Sequence, residues 1–302
     1  MIEVNDSNDR RPEVCALEPT AEQIESYRKD GFLVVEDWLP AGEVDRLREH
    51  FAACFEHRWE TGISPDEVNY QPGVTPPDMT RQLCNLWKAN RTIASTTLSA
   101  RNGEFGARLA GEPGMRLFID NAVWKPANGK SLLAHQDAPY QDCFQPLNMT
   151  TCWMALDDTY ADSGTIYYAR GSHLLGRLPT GGQFHAPDDW RGHMHQVLSP
   201  EALDAVDWVP IEVPAGGAAF HDGWVWHGSP PNERGDRERR AIISHMITTR
   251  TTWHPTNTHS LYSHYRRPGE TELDEAFFPV MWREDGYRTP AIDEAFAVTV
   301  AA

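Results

Sequence analysis

The sequence predicts one mainly β domain, a sandwich or jelly roll with helices flanking it on the N-terminal side. Three observations carry that reading. Seven short β-like runs crowd residues 115–248, and Gly, Pro and Asp turns separate them. Most of them have no helical pattern of ten to fifteen residues in between, which argues against a doubly wound parallel sheet. Amphipathic helix patterns occur instead before residue 60.

Residues 1–18 read as a flexible tail, and 19–302 as a single domain. Thr20 with Gln23 three residues later forms a capping-box pattern, so a short helix runs to about Lys29. Gly31 ends it. A strand-like run follows over Phe32 to Leu39. After Pro40, the apolar residues Val44, Leu47, Phe51, Cys54, Phe55 and Trp59 recur at mostly three- and four-residue steps, which predicts a second helix. The pattern then weakens from 60 to 112, where Pro65, Pro72, Pro76 and Pro77 interrupt it, with a helix expected over Met79 to Asn90. The β-like runs are MRLFIDNAVWKP, SLLAHQD, MTTCWMALDD, GTIYYARGSH, VDWVPIEVP, GGAAFHDGWVWH and RRAIISHMITT. Residues 251–302 return to loops and one helix. Segments 60–112 and 248–302 are expected to form the walls of a substrate pocket.

The chain has 302 residues, 40% of them hydrophobic, enough for a core that needs no disulfide or metal staple. Its formal net charge is −17, which argues against nucleic acid and anionic membranes as partners. The N-terminus is polar, unlike a secretory signal, and no apolar run is long enough for a membrane span. Cys15, Cys54, Cys84, Cys143 and Cys152 are odd in number and lack a C-x-x-C pair. They read as reduced thiols of a cytoplasmic protein.

Histidine is the unusual component, with 13 residues. Only His135 has an acidic residue two positions on, Asp137. In extended chain, residues i and i+2 share a face, so imidazole and carboxylate can converge on one ion. A second histidine would complete the two-histidine, one-carboxylate face that suits non-haem Fe(II). His227 is the favoured candidate, at the end of GGAAFHDGWVWH. His221 is a rival in the same run, although HDG reads as a turn. His193 and His195 read as surface or loop residues. Arg237, Arg239 and Arg240 precede the next strand, where a guanidinium fork can hold a carboxylate. Trp87, Trp124, Trp190, Trp224 and Trp253 are candidates for pocket walls, against the usual fate of large aromatics as core.

HQD, CWMALDDTYADSGTIYYARGSHLLG and WHGSPPNERGDRERRAI together resemble the phytanoyl-CoA dioxygenase family of Fe(II)/2-oxoglutarate oxygenases. The opening QIESYRKDGFLVVEDWLPAGEVDRLR is similar to the family's as well. The likeness covers roughly 20–60 and 115–247. It implies a double-stranded β-helix, the cupin-like jelly roll, with Fe(II) on His135, Asp137 and His227. It implies 2-oxoglutarate on Arg239, with Arg240 as the alternative one residue on, and with Ser229, Trp153 and Asn121 beside the cosubstrate. O2 is the other cosubstrate. Asp137 is retained where halogenating relatives carry a small residue, so oxygen transfer or desaturation is expected. Arg170 stands where the family usually has proline.

The expected substrate is a small molecule, neutral or cationic, of the kind modified in secondary metabolism by hydroxylation, cyclisation or epimerisation. CoA esters are disfavoured by the acidic balance. Two alternatives stay open on the residues alone. One is a metal-dependent cupin-like isomerase or hydrolase that does not use 2-oxoglutarate. The other is a non-catalytic jelly-roll binding module. Nothing in the sequence sets the oligomeric state.

Overall fold

A computed structural model describes residues 18–297, apart from 178 and 193. The expected tail over 1–18 therefore lies outside the described residues, but for Glu18. Helix α1 spans Ala21–Asp30. The Thr20 hydroxyl accepts from Gln23 N–H at 3.2 Å, and the Gln23 side chain accepts from Thr20 N–H at 2.9 Å. Gly31 ends the helix in the left-handed region. Strand β1 is shorter than expected, Phe32–Val35. Beyond it, the N–H groups of Trp38 and Leu39 both turn onto Gly216 O and leave the ladder. Helix α2, Ala41–Phe55, buries Val44, Leu47, Phe51, Cys54 and Phe55.

Residues 60–112 depart from expectation. The helix expected over Met79 to Asn90 is replaced by strand β3, Arg81–Cys84, which pairs with β2, Glu67–Val68. Asn85 is left-handed (φ 59°), and a single 3₁₀ turn, Leu86–Lys88, follows. Two helices then form, α3 at Arg91–Thr97 and α4 at Ala100–Ala110. The side chains of Asn90 and Ser99 cap them by accepting from Ile93 N–H and Asn102 N–H.

The long strand β4, Gly114–Lys125, leads to β5, Leu132–His135, and β6, Phe144–Gln145. Next come β7, Met149–Ala155, β8, Tyr167–Ala169, the short helix α5, Pro200–Asp204, and β9, Trp208–Pro210. The run 216–229 divides into β10, Ala218–Asp222, and β11, His227–Ser229. The chain continues as β12, Arg239–Thr248, β13, Thr252–Trp253, β14, Val280–Arg283, and α6, Pro290–Ala297.

These strands form two main antiparallel sheets. The larger follows the order β1-β10-β7-β12-β4-β3-β2, with β14 also on β4, and the smaller is β5-β11-β8-β9. The order matches the expected jelly roll. Alternation along each strand sorts the side chains. On β7, Cys152 and Met154 face the helices with Leu47, Phe51, Phe105 and Phe220. Trp153 and Ala155 face the smaller sheet with Tyr168, Ile166 and Val225. The segment between β10 and β11 crosses from one sheet to the other, and His227 is the first residue after the crossing.

Candidate active site

The pairing of β5 with β11 sets His135 directly opposite His227. Their rings lie 4.3 Å apart between centroids. Asp137 follows two residues after His135, and its Oδ1 stands 3.3 Å from His135 Nε2 and 3.5 Å from His227 Nε2. Each histidine directs Nδ1 at a carbonyl two residues back, His135 to Leu133 O at 2.9 Å and His227 to Val225 O at 3.0 Å. A carbonyl only accepts, so each Nδ1 carries the proton and each Nε2 presents a lone pair. Two such nitrogens and one carboxylate oxygen within 4.8 Å of one another fit a divalent metal, and the donor set suits ferrous iron.

The other oxygen, Asp137 Oδ2, is held from behind. His221 Nε2 lies at 3.1 Å, Thr151 Oγ1 at 3.2 Å and His245 Nδ1 at 3.3 Å. His221 Nδ1 is 2.9 Å from the hydroxyl of the fully buried Tyr168. Burial holds the His221 pKa down to about 3, reinforced by His227, so the ring is neutral and donates through Nε2. Burial pushes the Asp137 carboxyl up. The His227 and His245 rings and the hydrogen bond from His221 outweigh it and hold the group well below the usual carboxylate range. Burial, together with His227, likewise lowers His135. The shifts of Asp137 and His135 favour the ionisation states that a metal needs.

The rival histidine is thus placed. His221 lies on β10 behind the carboxylate, while His227 joins the triad. His195 is half exposed and lies 3.0 Å from Asp189, and His193 lies outside the described residues.

Strand parity separates the two candidate arginines. Arg239 points between the sheets and is 2% exposed. Its Nη2 donates to Gly164 O at 2.7 Å and to Ser229 Oγ at 3.1 Å, and its guanidinium lies 5.9 Å from the Trp153 ring. Arg240 points the other way and forms a two-pronged pair with Asp157. Among the described residues, no carboxylate lies within 4 Å of Arg239. Burial lowers its pKa to about 10, so it is still a cation at neutral pH. A buried unpaired guanidinium is costly and calls for an anion.

All seven candidate residues, including Asn121, line one cavity of about 620 Å³. Asp66, Glu67, Gln82 and Cys84 contribute to its wall from one flanking segment, and His259, Leu261 and Tyr262 from the other. Trp153 is the single tryptophan among the described lining residues. Trp87, Trp124, Trp224 and Trp253 pack into the hydrophobic clusters instead, and Trp190 meets Trp208 edge-on. Sequence reasoning missed His245 and Thr151. Parity alone would have found His245, which is six residues from Arg239 and on the same face of β12.

The family model for phytanoyl-CoA dioxygenase matches residues 27–241, more than two thirds of the chain. The chain belongs to this family. It is an Fe(II)/2-oxoglutarate-dependent oxygenase, rather than the isomerase, hydrolase or binding module left open above. A relative in the same comparison is the methylphosphonate hydroxylase of Gimesia maris. It is 23% identical over 226 residues, 75% of this chain and 80% of that protein. Among solved structures, the α-ketoglutarate-dependent epimerase SnoN from nogalamycin biosynthesis aligns with a TM-score of 0.66 at 22% identity. That alignment covers 87% of this chain and 98% of SnoN. The carbocyclase SnoK from the same biosynthesis also gives 0.66, at 23% identity over 87% of this chain and 96% of its own. These structural likenesses establish the shared fold. No helix among the described residues is long and apolar enough to cross a membrane.

Proposed function

We propose that this family member oxidises a small neutral or cationic organic molecule of secondary metabolism, by hydroxylation, oxidative cyclisation or epimerisation. His135, Asp137 and His227 would hold Fe(II). Arg239 would pair with the distal carboxylate of 2-oxoglutarate, beside Ser229, Trp153 and Asn121. The observation that carries this reading is the pairing, in one cavity, of a metal-competent triad with a buried arginine that has no carboxylate partner. Iron and 2-oxoglutarate, when bound, supply the activation of O2 and the oxidation of a C–H bond. The protein's own part is placement. His221 and Thr151 fix the carboxylate, Leu133 O and Val225 O fix the imidazoles, and Phe184, 4.9 Å from His135 between ring centroids, shields one side from water.

The charge of the wall supports the substrate class. Arg239 is the one Lys or Arg among the described lining residues, and it is committed to the cosubstrate. Glu67 pairs with Cys84, which pairs in turn with Asn121, so the β2 edge brings Glu67 to the cavity wall. Asp66 at that edge is paired with Lys88 at 2.6 Å, and Glu67 has no Lys or Arg within 4 Å among the described residues. A phosphonate or a CoA thioester would meet no unpaired Lys or Arg among the described lining residues there, which supports a neutral or cationic substrate over the anionic one in the relative's name.

The test is an anaerobic titration of the Fe(II)-loaded protein with 2-oxoglutarate, followed by succinate release over a panel of amines, neutral polyketides, phosphonates and CoA esters. Binding of 2-oxoglutarate with turnover of neutral or amine compounds is expected. No 2-oxoglutarate binding would overturn the cosubstrate assignment, and turnover confined to phosphonates or CoA esters would overturn the substrate class.

A further inference from the structure

Lys125 ends β4 and has no exposed surface. Its Nζ contacts three oxygens: Ser229 Oγ, Pro230 O, and Ser229 O at 3.3 Å. The two carbonyls can only accept. The Ser229 hydroxyl gives its own proton to Gly164 O at 2.8 Å, so it too must accept from Lys125. Three acceptors suit an ammonium, while burial and the neighbouring Arg239 guanidinium press its pKa well below the usual lysine range; a bound carboxylate would favour the charged form. Arg239 Nη2 donates to the same Ser229 oxygen. Two buried basic groups thus share one hydroxyl, and among the described residues neither has a carboxylate within 4 Å. Arg240 and Arg48 both engage Asp157, the acid that acts on Arg239 from further off.

The seat for Lys125 is built. A Cβ on Gly164 would fall 2.5 Å from its Cδ, so a larger residue there would collide with the stem. Charging two neighbouring basic groups without an anion in a dry pocket is expensive, and a carboxylate entering beside them relieves that cost.

We propose that Lys125 is a positioning residue for the cosubstrate: it locks the Ser229 hydroxyl beside Arg239, and the two basic groups together select a 2-oxo acid with a distal carboxylate. This rests on the cosubstrate reading above. Lys125 does not touch the ligand. Its three hydrogens are already used, so it acts through Ser229 and through its field.

The experiment compares wild type, Lys125→Met and Lys125→Gln as full-length, Fe(II)-loaded protein under anaerobic conditions. The probes are 2-oxoglutarate and 2-oxopentanoate, which is the same length but lacks the distal carboxylate. Both variants should weaken 2-oxoglutarate at least tenfold while leaving 2-oxopentanoate within about twofold of wild type. Lys125→Gln serves as the second variant if the methionine does not fold. Equal weakening of both acids would make Lys125 merely structural, and unchanged 2-oxoglutarate affinity would remove its role altogether. If wild type binds no 2-oxoglutarate, the cosubstrate assignment falls and this inference falls with it. If only the variants behave unexpectedly, the cosubstrate assignment stands.

Discussion

His221 Nε2 lies 3.1 Å from Asp137 Oδ2, while His135 and His227 face the other oxygen of the same carboxylate. One oxygen thus faces the candidate metal position and the other faces the protein. An outer hydrogen bond of this kind fixes the orientation of a ligand, and its loss commonly costs about 10- to 100-fold in metal affinity. His221→Phe should weaken Fe(II) binding by about that factor, and Tyr168→Phe by less, since Tyr168 acts on the far side of the His221 ring. Calorimetric titration with Co(II) or Fe(II) measures both. Wild-type affinity in His221→Phe would show that Thr151 and His245 suffice.

Arg239 and Arg240 are adjacent in sequence and opposite in role. Arg239→Ala should reduce 2-oxoglutarate affinity by at least tenfold with little change in melting temperature, because the arginine has no carboxylate partner to strand. Arg240→Ala breaks the pair with Asp157 and should lower stability by about 1–3 kcal/mol while sparing cosubstrate binding. Anaerobic titration together with thermal melting separates the two. The reverse pattern would exchange their roles.

The same parity explains how much of the site was legible in the sequence. His135 and Asp137 lie two residues apart on extended chain, and period-two alternation on β12 selects Arg239 over Arg240 once a neighbour is known to face inward. The capping box at Thr20 and the glycine at 31 mark α1 without any tertiary information. Helix α4 was hidden because Gly103 and Gly106 lower its intrinsic helicity. They are there because a Cβ at either would lie 2.8 Å from a methionine atom, Met281 Cβ or Met246 Cε. Strand β3 was hidden because its partner, β4, is far along the chain. The apolar spacing around it looks helical until Leu83 and Cys84 pair with Ala122 and Asn121. His221 could not be placed, since nothing local tells that the chain crosses between sheets after Asp222.

Asp120 gives a pH prediction. Burial raises its carboxyl from 3.8 to about 7, against hydrogen bonds from Thr97 and the backbone around Leu86 and Trp87. Oδ1 has no hydrogen-bond partner. A carboxyl raised on folding favours the native state while it is protonated. That contribution is complete below about pH 4 and is lost as pH rises through about 7. Asp120→Asn removes the titration. Its melting temperature relative to wild type should therefore be higher at pH 8 than at pH 5. A difference that does not change with pH would mean that the group does not titrate in this window.

Gly31 ties the first helix to the candidate metal ligands. Its φ is 83°, and a Cβ there would lie 2.2 Å from Val225 Cγ2 and 2.5 Å from His173 Nδ1. Val225 O is also the acceptor that orients the His227 ring, and Gly31 O accepts from Asp222 N–H at 2.9 Å. Gly31→Ala must therefore bear left-handed strain of about 1 kcal/mol and push on the segment between β10 and β11 as well. Overpacking of this kind typically adds about 1–3 kcal/mol. The expected result is a loss of about 2–4 kcal/mol by denaturant unfolding, together with weaker metal binding in the protein that remains folded. Gly111, also left-handed at a helix end, is the control. A Cβ there meets only the flexible tip of Arg28, at 3.7 Å, so Gly111→Ala should bear the strain alone and leave metal affinity unchanged. Equal stability losses in the two variants, with metal affinity intact in both, would show that the crossing segment yields without moving His227.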